Sequence, residues 1–288
     1  MNCKGLILAG GNATRLYPIT IPTNKHLLPI FSKPMIYYPL ATLMLAEQRE
    51  IIIVTNQKDV DEFKNLLGNG NQFGLNINYA VQEKADGLSS AISAARKYIE
   101  NCEIKVILGD NVFYGKGLED ILNNNLRKNK NVIFTQNVSK PESFGVLKRD
   151  EKSNIHEIIE KPRKFVSNEA VLGLYFYDNS VLSKIENLKY SSRGELEITD
   201  LNNSYLKEKN MDVVNLGRGI SWYDAGTVED LHSVSTLIKE IEVRQSTLIS
   251  SIEEIALRKN FISESSYLNL VKKYKNNYYA KKLLEVLD

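Results

Sequence analysis

Gly5-Leu6-Ile7-Leu8-Ala9-Gly10-Gly11-Asn12-Ala13-Thr14-Arg15-Leu16, with Lys25 a short way beyond, decides how the rest of the chain is read. An apolar run between a lysine and a glycine pair predicts a buried first strand. It opens into a loop that starts with two glycines and closes on a threonine and an arginine. Glycine lacks a Cβ, so the backbone can come close to a ligand, and successive free N–H groups form a concave anion site. Arg15 and Lys25 add positive charge suited to phosphate oxygens. No G-K-[ST] follows the glycines, which excludes a Walker loop, and the missing third glycine excludes a dinucleotide fingerprint. Alone, the segment reads equally as an ordinary strand-to-loop turn with a surface arginine.

The 288 residues allow one large domain with an appendage. A hydrophobic fraction of 43% against 25% charged residues is that of a globular chain with material for a sizeable core. A net charge of +2 gives no global signal for nucleic acid or an anionic membrane, so any basic site is local. Cys3 and Cys102 form no C-x-x-C pair, and His26, His156 and His232 are too scattered for a metal cluster. No charged-then-apolar segment precedes the first strand and no apolar run reaches membrane-spanning length; the expectation is a cytoplasmic protein without a membrane partner.

Beyond the loop, strand and helix alternate. Glu50–Thr55, Leu75–Val81, Ile104–Leu108 and Asn131–Val138 read as strands, and Asp59–Leu67, Gly87–Ile99 and Leu118–Leu126 as helices. This alternation predicts an α/β fold, a mostly parallel sheet with helices on both faces. Phe144–Lys148, Ile155–Glu160 and Val171–Tyr177 read as strands without full helices between them, a strand-rich insertion at the sheet edge. A helix is expected around Leu196–Lys207, and Trp222–Thr227 reads as strand to loop. Thr227 with Asp230 can start a helix, and everything from Val228 to Asp288 reads helical. The expected organisation is a core over residues 1–245, divided near 135/136, and a helical appendage over 246–288 that packs or forms an interface.

Asp110 follows a short buried strand, and Asp224 follows Ile220–Tyr223. At the carboxyl ends of parallel strands such carboxylates face the ligand crevice. Two of them beside a triphosphate suit Mg²⁺, which takes few carboxylates and completes its shell with phosphate and water; each alone also reads as a cap or turn residue. Pro162 ends the strand before it and is expected to hold Lys161 in extended backbone, where its ammonium could meet a phosphate. Gly145 allows a sugar to approach the backbone. The Gln82 amide offers a donor and an acceptor side by side, matching the imide edge of thymine or uracil, with the Gly87 backbone completing the pairing.

Taken in order, these pieces resemble the sugar-1-phosphate nucleotidylyltransferases, and their thymidylyltransferase branch in particular. The carrying residues are L-A-G-G-N-A-T-R-L-Y-P at Leu8–Pro18, K-H-L-L-P-I at Lys25–Ile30 and K-P-M-I-Y-Y-P-L at Lys33–Leu40. They continue through D-G-L at Asp86–Leu88, L-G-D-N-V-F-Y-G at Leu108–Gly115, F-G-V at Phe144–Val146 and E-K-P at Glu160–Pro162. The last are G-L-Y-F-Y-D at Gly173–Asp178, R-G-E-L-E-I-T-D at Arg193–Asp200 and W-Y-D-A-G-T at Trp222–Thr227. The likeness spans essentially the whole chain.

The resemblance implies a Rossmann-like fold and formation of dTDP-glucose and pyrophosphate from dTTP and α-D-glucose 1-phosphate. It implies that Leu8, Gly10, Gly11, Thr14 and Arg15 hold the nucleotide, with Arg15 on the departing pyrophosphate, and that Lys25 binds phosphate at the reacting centre. Gln82 and Gly87 read the base, and Asp110 and Asp224 hold Mg²⁺. Gly145, Glu160, Lys161 and Val171 line the sugar-phosphate side, with Lys161 on its phosphate. A homotetramer, a place in dTDP-rhamnose supply and a regulatory site for that end product are implied in the same way. Three residues depart from the family pattern. Ala13 stands for a glycine, at roughly 1 kcal/mol or more if its torsion is left-handed; His26 stands for a glutamine and Ala225 for a threonine. A uridylyltransferase or an enzyme for another hexose 1-phosphate stays open, because thymine and uracil share the imide edge that Gln82 meets. So does a non-catalytic nucleotide-sugar sensor.

Overall fold

The apolar stretch at the amino terminus forms β1 (Cys3–Leu8), the inner strand from which the sheet grows. A short hairpin of β2 (Pro29–Ile30) and β3 (Lys33–Pro34) leads into α1 (Tyr37–Leu45). Then follow β4 (Glu50–Thr55), α2 (Val60–Leu67), β5 (Asn76–Val81), α3 (Leu88–Ala94), α4 (Arg96–Ile99) and β6 (Glu103–Leu108). The next elements are β7 (Asn111–Gly115), α5 (Leu118–Leu126), β8 (Val132–Asn137), β9 (Gly145–Arg149), β10 (Ile155–Glu160) and β11 (Glu169–Tyr177). The chain closes with α6 (Val181–Glu186), α7 (Ile198–Lys207), β12 (Asp212–Asn215), β13 (Ile220–Asp224) and α8 (Val228–Gln245), then α9 (Ile252–Arg258), α10 (Glu264–Lys273) and α11 (Tyr278–Leu284). The structure is a computed structural model that describes residues 3–126 and 131–287. Residues 1, 2, 127–130 and 288, which fall within the expected core and appendage, lie outside the described residues.

The main sheet runs β10-β9-β11-β6-β1-β4-β5, with β8 on β11 and β12 on β8. Strands β6, β1, β4 and β5 are mutually parallel, the arrangement that alternating strand and helix produces. Strand β11 runs antiparallel to β6, β8 and β9, and this is where the strand-rich second half joins. Side chains alternate between the faces of β1: Ile7 packs with α1 and α9 on one side, Leu6 and Leu8 with α3, α6 and α7 on the other. Leu6 and Ile7 are fully buried, each worth about 1.5–3 kcal/mol of apolar burial. The register aligns Leu8 with Val54 and Leu108, so three strands end together. Gly10, Asn56 and Asp110 therefore leave the sheet along one edge, the ligand edge of a parallel sheet.

Four expectations differ in the structure, and the first concerns Asp224, which is the last residue of β13, a strand paired antiparallel with β7 outside the main sheet rather than one that ends at its parallel edge. The helix expected over 87–99 is two, because the chain breaks at Ala95 between α3 and α4. Among the described residues the helical stretch from Val228 onward is four helices, and Ser246, Ser250, Asn260 and Lys275 take positive φ in the breaks between them. Lys161 is not extended but sits at φ +42°. Its N–H donates to the Phe144 carbonyl at 3.0 Å, which turns the chain out of β10.

Candidate active site

Two adjoining cavities open at that edge. The first, of about 290 Å³, takes Arg15, Lys25, Asp110, Gly145, Glu160, Lys161, Val171 and Asp224 from separate segments of chain. Its neighbour is lined by Gly11, Gln82 and Gly87, and Leu8, Gly10 and Arg15 border both. Every residue singled out from the sequence lines one of the two except Thr14, which is exposed at the start of a 3₁₀ turn.

The glycine loop takes its shape from β1 and β4. Ala9 N–H donates to Val54 O at 2.7 Å, and its carbonyl accepts from Thr55 Oγ1 at 3.1 Å. Gly11 adopts φ +92°, and Ala13 follows at φ 48°, ψ 36°, the left-handed region in which a Cβ is unfavourable. Gln82 sits beside the loop with its side-chain amide donating to the Gly87 carbonyl at 3.2 Å, which presets the amide face.

Lys25 and Asp110 form an ion pair in the wall of the first cavity. Burial acts to raise the Asp110 carboxyl. The Lys25 ammonium, His26 and hydrogen bonds from Lys25 and Asn111 outweigh it and hold the group well below the usual carboxylate range. Asp224 differs. Burial, then the charge of Asp110, pushes its carboxyl up to about 7. Its Oδ1 is buried with no hydrogen-bond partner among the described residues. A paired and an unpartnered carboxylate facing one cavity form the donor set that a hard divalent cation accepts. His26 is buried beside them, and burial followed by Lys25 lowers it to about 3. Its Nδ1 lies 2.7 Å from Asn24 Oδ1, which places the ring proton on that nitrogen.

On the far wall Glu160 accepts from Thr199 Oγ1 at 2.5 Å and from the Arg193 guanidinium at 3.4 Å. A Cβ on Gly145 would stand 3.1 Å from Thr199 Oγ1 and 3.3 Å from Glu160 Oε2, so the backbone lies as close to that wall as a residue allows. Asn111, Tyr175, Thr199 and Asn202 also line the cavity, and no sequence signal marks them individually. Asn111 Oδ1 accepts from Trp222 Nε1 at 2.6 Å and from Gly173 N–H at 3.2 Å, joining β7, β13 and β11. An asparagine beside a strand-end aspartate carries little signal in a sequence, because its value comes from strands that meet only in space.

The chain matches the family described as nucleotidyl transferase over residues 4–241. The glucose-1-phosphate thymidylyltransferase of Neisseria meningitidis serogroup A is 43% identical to it over 285 residues, 99% of each chain. The enzyme of that name from Mycolicibacterium smegmatis is 40% identical over the same length and coverage. Among solved structures, a Bacillus anthracis chain of the same enzyme name, in complex with a sucrose, superposes with a TM-score of 0.74 at 40% identity, covering 82% of this chain and 94% of that one.

Proposed function

The chain belongs to the nucleotidyl transferase family, and from that premise we propose that it joins dTTP to α-D-glucose 1-phosphate, giving dTDP-glucose and pyrophosphate. One observation carries this reading: the glycine loop, Gln82 and two strand-end aspartates meet a sugar-sized wall at Gly145 and Glu160 in two connected cavities, in a chain whose full-length relatives bear that enzyme name.

The chemistry follows from the charges. A phosphate oxygen of the sugar phosphate, already anionic, attacks the α-phosphorus of the nucleotide. The bond from that phosphorus to the bridging oxygen breaks, and pyrophosphate leaves with the electron pair. No general base is needed, so the site works by positioning and charge neutralisation. Gln82 and Gly87 orient the base; Gly10, Gly11 and Arg15 take the triphosphate. Lys25 exchanges its carboxylate partner for phosphate at the reacting centre, and Lys161 holds the sugar phosphate in line while Glu160 and Val171 border the sugar. The unpartnered Asp224 oxygen fits a divalent cation. Asp110 and Asp224 would hold Mg²⁺, which supplies charge neutralisation on the phosphates when bound.

We assign residues 1–245 to the catalytic core and 246–288 to a packing or interface appendage. Among the described residues no helix is long and apolar enough to cross a membrane. A homotetramer, a cytoplasmic location and a role in dTDP-rhamnose supply belong to the same reading. Initial rates with dTTP and UTP against a panel of hexose 1-phosphates test it. The pair dTTP and glucose 1-phosphate should be fastest, and a higher kcat/KM for any other pair overturns the substrate assignment.

A further inference from the structure

Asp59 stands at the N-cap position of α2, where an aspartate ordinarily accepts a hydrogen bond from the helix's own first-turn N–H groups. It makes no such bond. The residue is 5% exposed, and its Oδ2 instead accepts from Asn24 Nδ2 at 2.8 Å and from Asn56 Nδ2 at 3.1 Å. Each of these amides has a second acceptor in the glycine loop. Asn24 Nδ2 donates to Ala9 O at 3.3 Å, and Asn56 Nδ2 to Gly11 O at 3.0 Å. One buried carboxylate thus aims two amides at the carbonyls on either side of Gly10.

We infer that Asp59 is a positioning residue for the triphosphate: through Asn24 and Asn56 it ties back the Ala9 and Gly11 carbonyls, so that the loop presents N–H groups rather than carbonyl oxygens to the anion. The inference rests on the nucleotide reading of this loop. A carbonyl turned toward phosphate repels it, and an N–H group attracts it. The Ala9 carbonyl has a second side-chain donor in Thr55 Oγ1, whereas Asn56 provides the described side-chain bond to Gly11 O. Asn24 also accepts from the His26 N–H at 3.0 Å, which extends the same arrangement to the segment bearing Lys25. The aspartate touches neither cavity, so its effect passes through the two asparagines.

The replacement Asp59→Ala removes the single oxygen that both asparagine amides reach. Calorimetric titration with dTTP, and separately with glucose 1-phosphate, reads the effect well below the melting temperature. The variant should bind dTTP about tenfold more weakly, while its affinity for glucose 1-phosphate stays within about twofold. A general loosening of the fold would weaken both. Asn56→Ala, which removes the Gly11 tether and its bond to Asp59 at a partly exposed position and leaves the Asn24–Asp59 bond in place, should show the same selectivity and covers the case in which the first variant does not fold. Unchanged dTTP binding in a folded variant, or equal weakening of both ligands, overturns the inference. Failure of the parent protein to bind dTTP overturns the nucleotide reading instead.

Discussion

Asp224 and Asp110 meet across a two-stranded ribbon. Asp224 pairs with Asn111 in the β13–β7 register, and the next residue, Ala225, donates its N–H to the Asp110 carbonyl at 3.0 Å. The backbone thereby fixes the approach of two acids from distant parts of the chain. One of them has its ammonium partner in Lys25; the other has an unpartnered oxygen. Such a pair is costly without a cation and useful with one.

The Asp224→Asn variant follows from that cost. Its carboxyl is pushed up to about 7 by burial and by Asp110. The penalty is absent below the ordinary carboxylate pKa, grows as pH rises toward 7 and is complete above it. At pH 8 without divalent cations, the variant should gain on the order of 2 kcal/mol, or a melting temperature higher by about 4 °C. Added Mg²⁺ should raise the melting temperature of the parent but not of the variant. A lower melting temperature in the cation-free variant contradicts the assignment.

Gly145→Ala tests the sugar wall. The new Cβ meets Thr199 Oγ1 and Glu160 Oε2 at 3.1 and 3.3 Å and must displace them. The KM for the sugar phosphate should rise about tenfold, with the KM for the nucleotide within about twofold. Steady-state kinetics with each substrate varied in turn decide the point.

His26 gives a pH dependence of stability. It is buried and held at about 3 in the folded chain, against 6.5 for an exposed histidine. Between these values the unfolded chain binds the extra proton, so stability falls as pH drops below about 6.5, by roughly 1.4 kcal/mol per unit. His26→Gln should flatten this limb. Melting temperatures at pH 7 and pH 5 should differ less in the variant than in the parent, and equal slopes would show that other groups set the acid limb.

Ala13→Gly relieves a left-handed alanine. The strain is about 1–2 kcal/mol, and the extra backbone entropy of glycine offsets roughly 0.5–1 kcal/mol. Urea unfolding should show a gain of about 0.5 kcal/mol; a loss of that size would mean that the alanine methyl packs usefully.

The parallel half of the sheet is legible in the sequence because strands such as Glu50–Thr55 are continuous β-branched runs between turn residues. Helix α1 is not. Tyr37 through Met44 are all buried, so no polar face marks a helical period, and Pro39 in the first turn adds a breaker signal. Strand β7 directly follows Asp110 and reads from the sequence only as the tail of a loop motif. Asp110 and Asp224 are legible individually as strand-end acids, but their mutual approach depends on the β7–β13 pairing, which joins residues far apart in the chain. Proline after Lys161 predicts extended backbone, yet the bond from Lys161 N–H to Phe144 O bends the residue to positive φ. A long-range hydrogen bond there overrides a local preference.

The central claim is that one nucleoside triphosphate is held between the glycine loop and the two aspartates and is attacked by a sugar phosphate. Pyrophosphate release with dTTP, glucose 1-phosphate and Mg²⁺ measures it directly, in the parent and in Asp110→Asn. The account predicts pyrophosphate and dTDP-glucose in equal amounts from the parent, and a rate lower by about 10²-fold or more in the variant at an unchanged fold. No pyrophosphate from the parent, or a full rate from the folded variant, would contradict it.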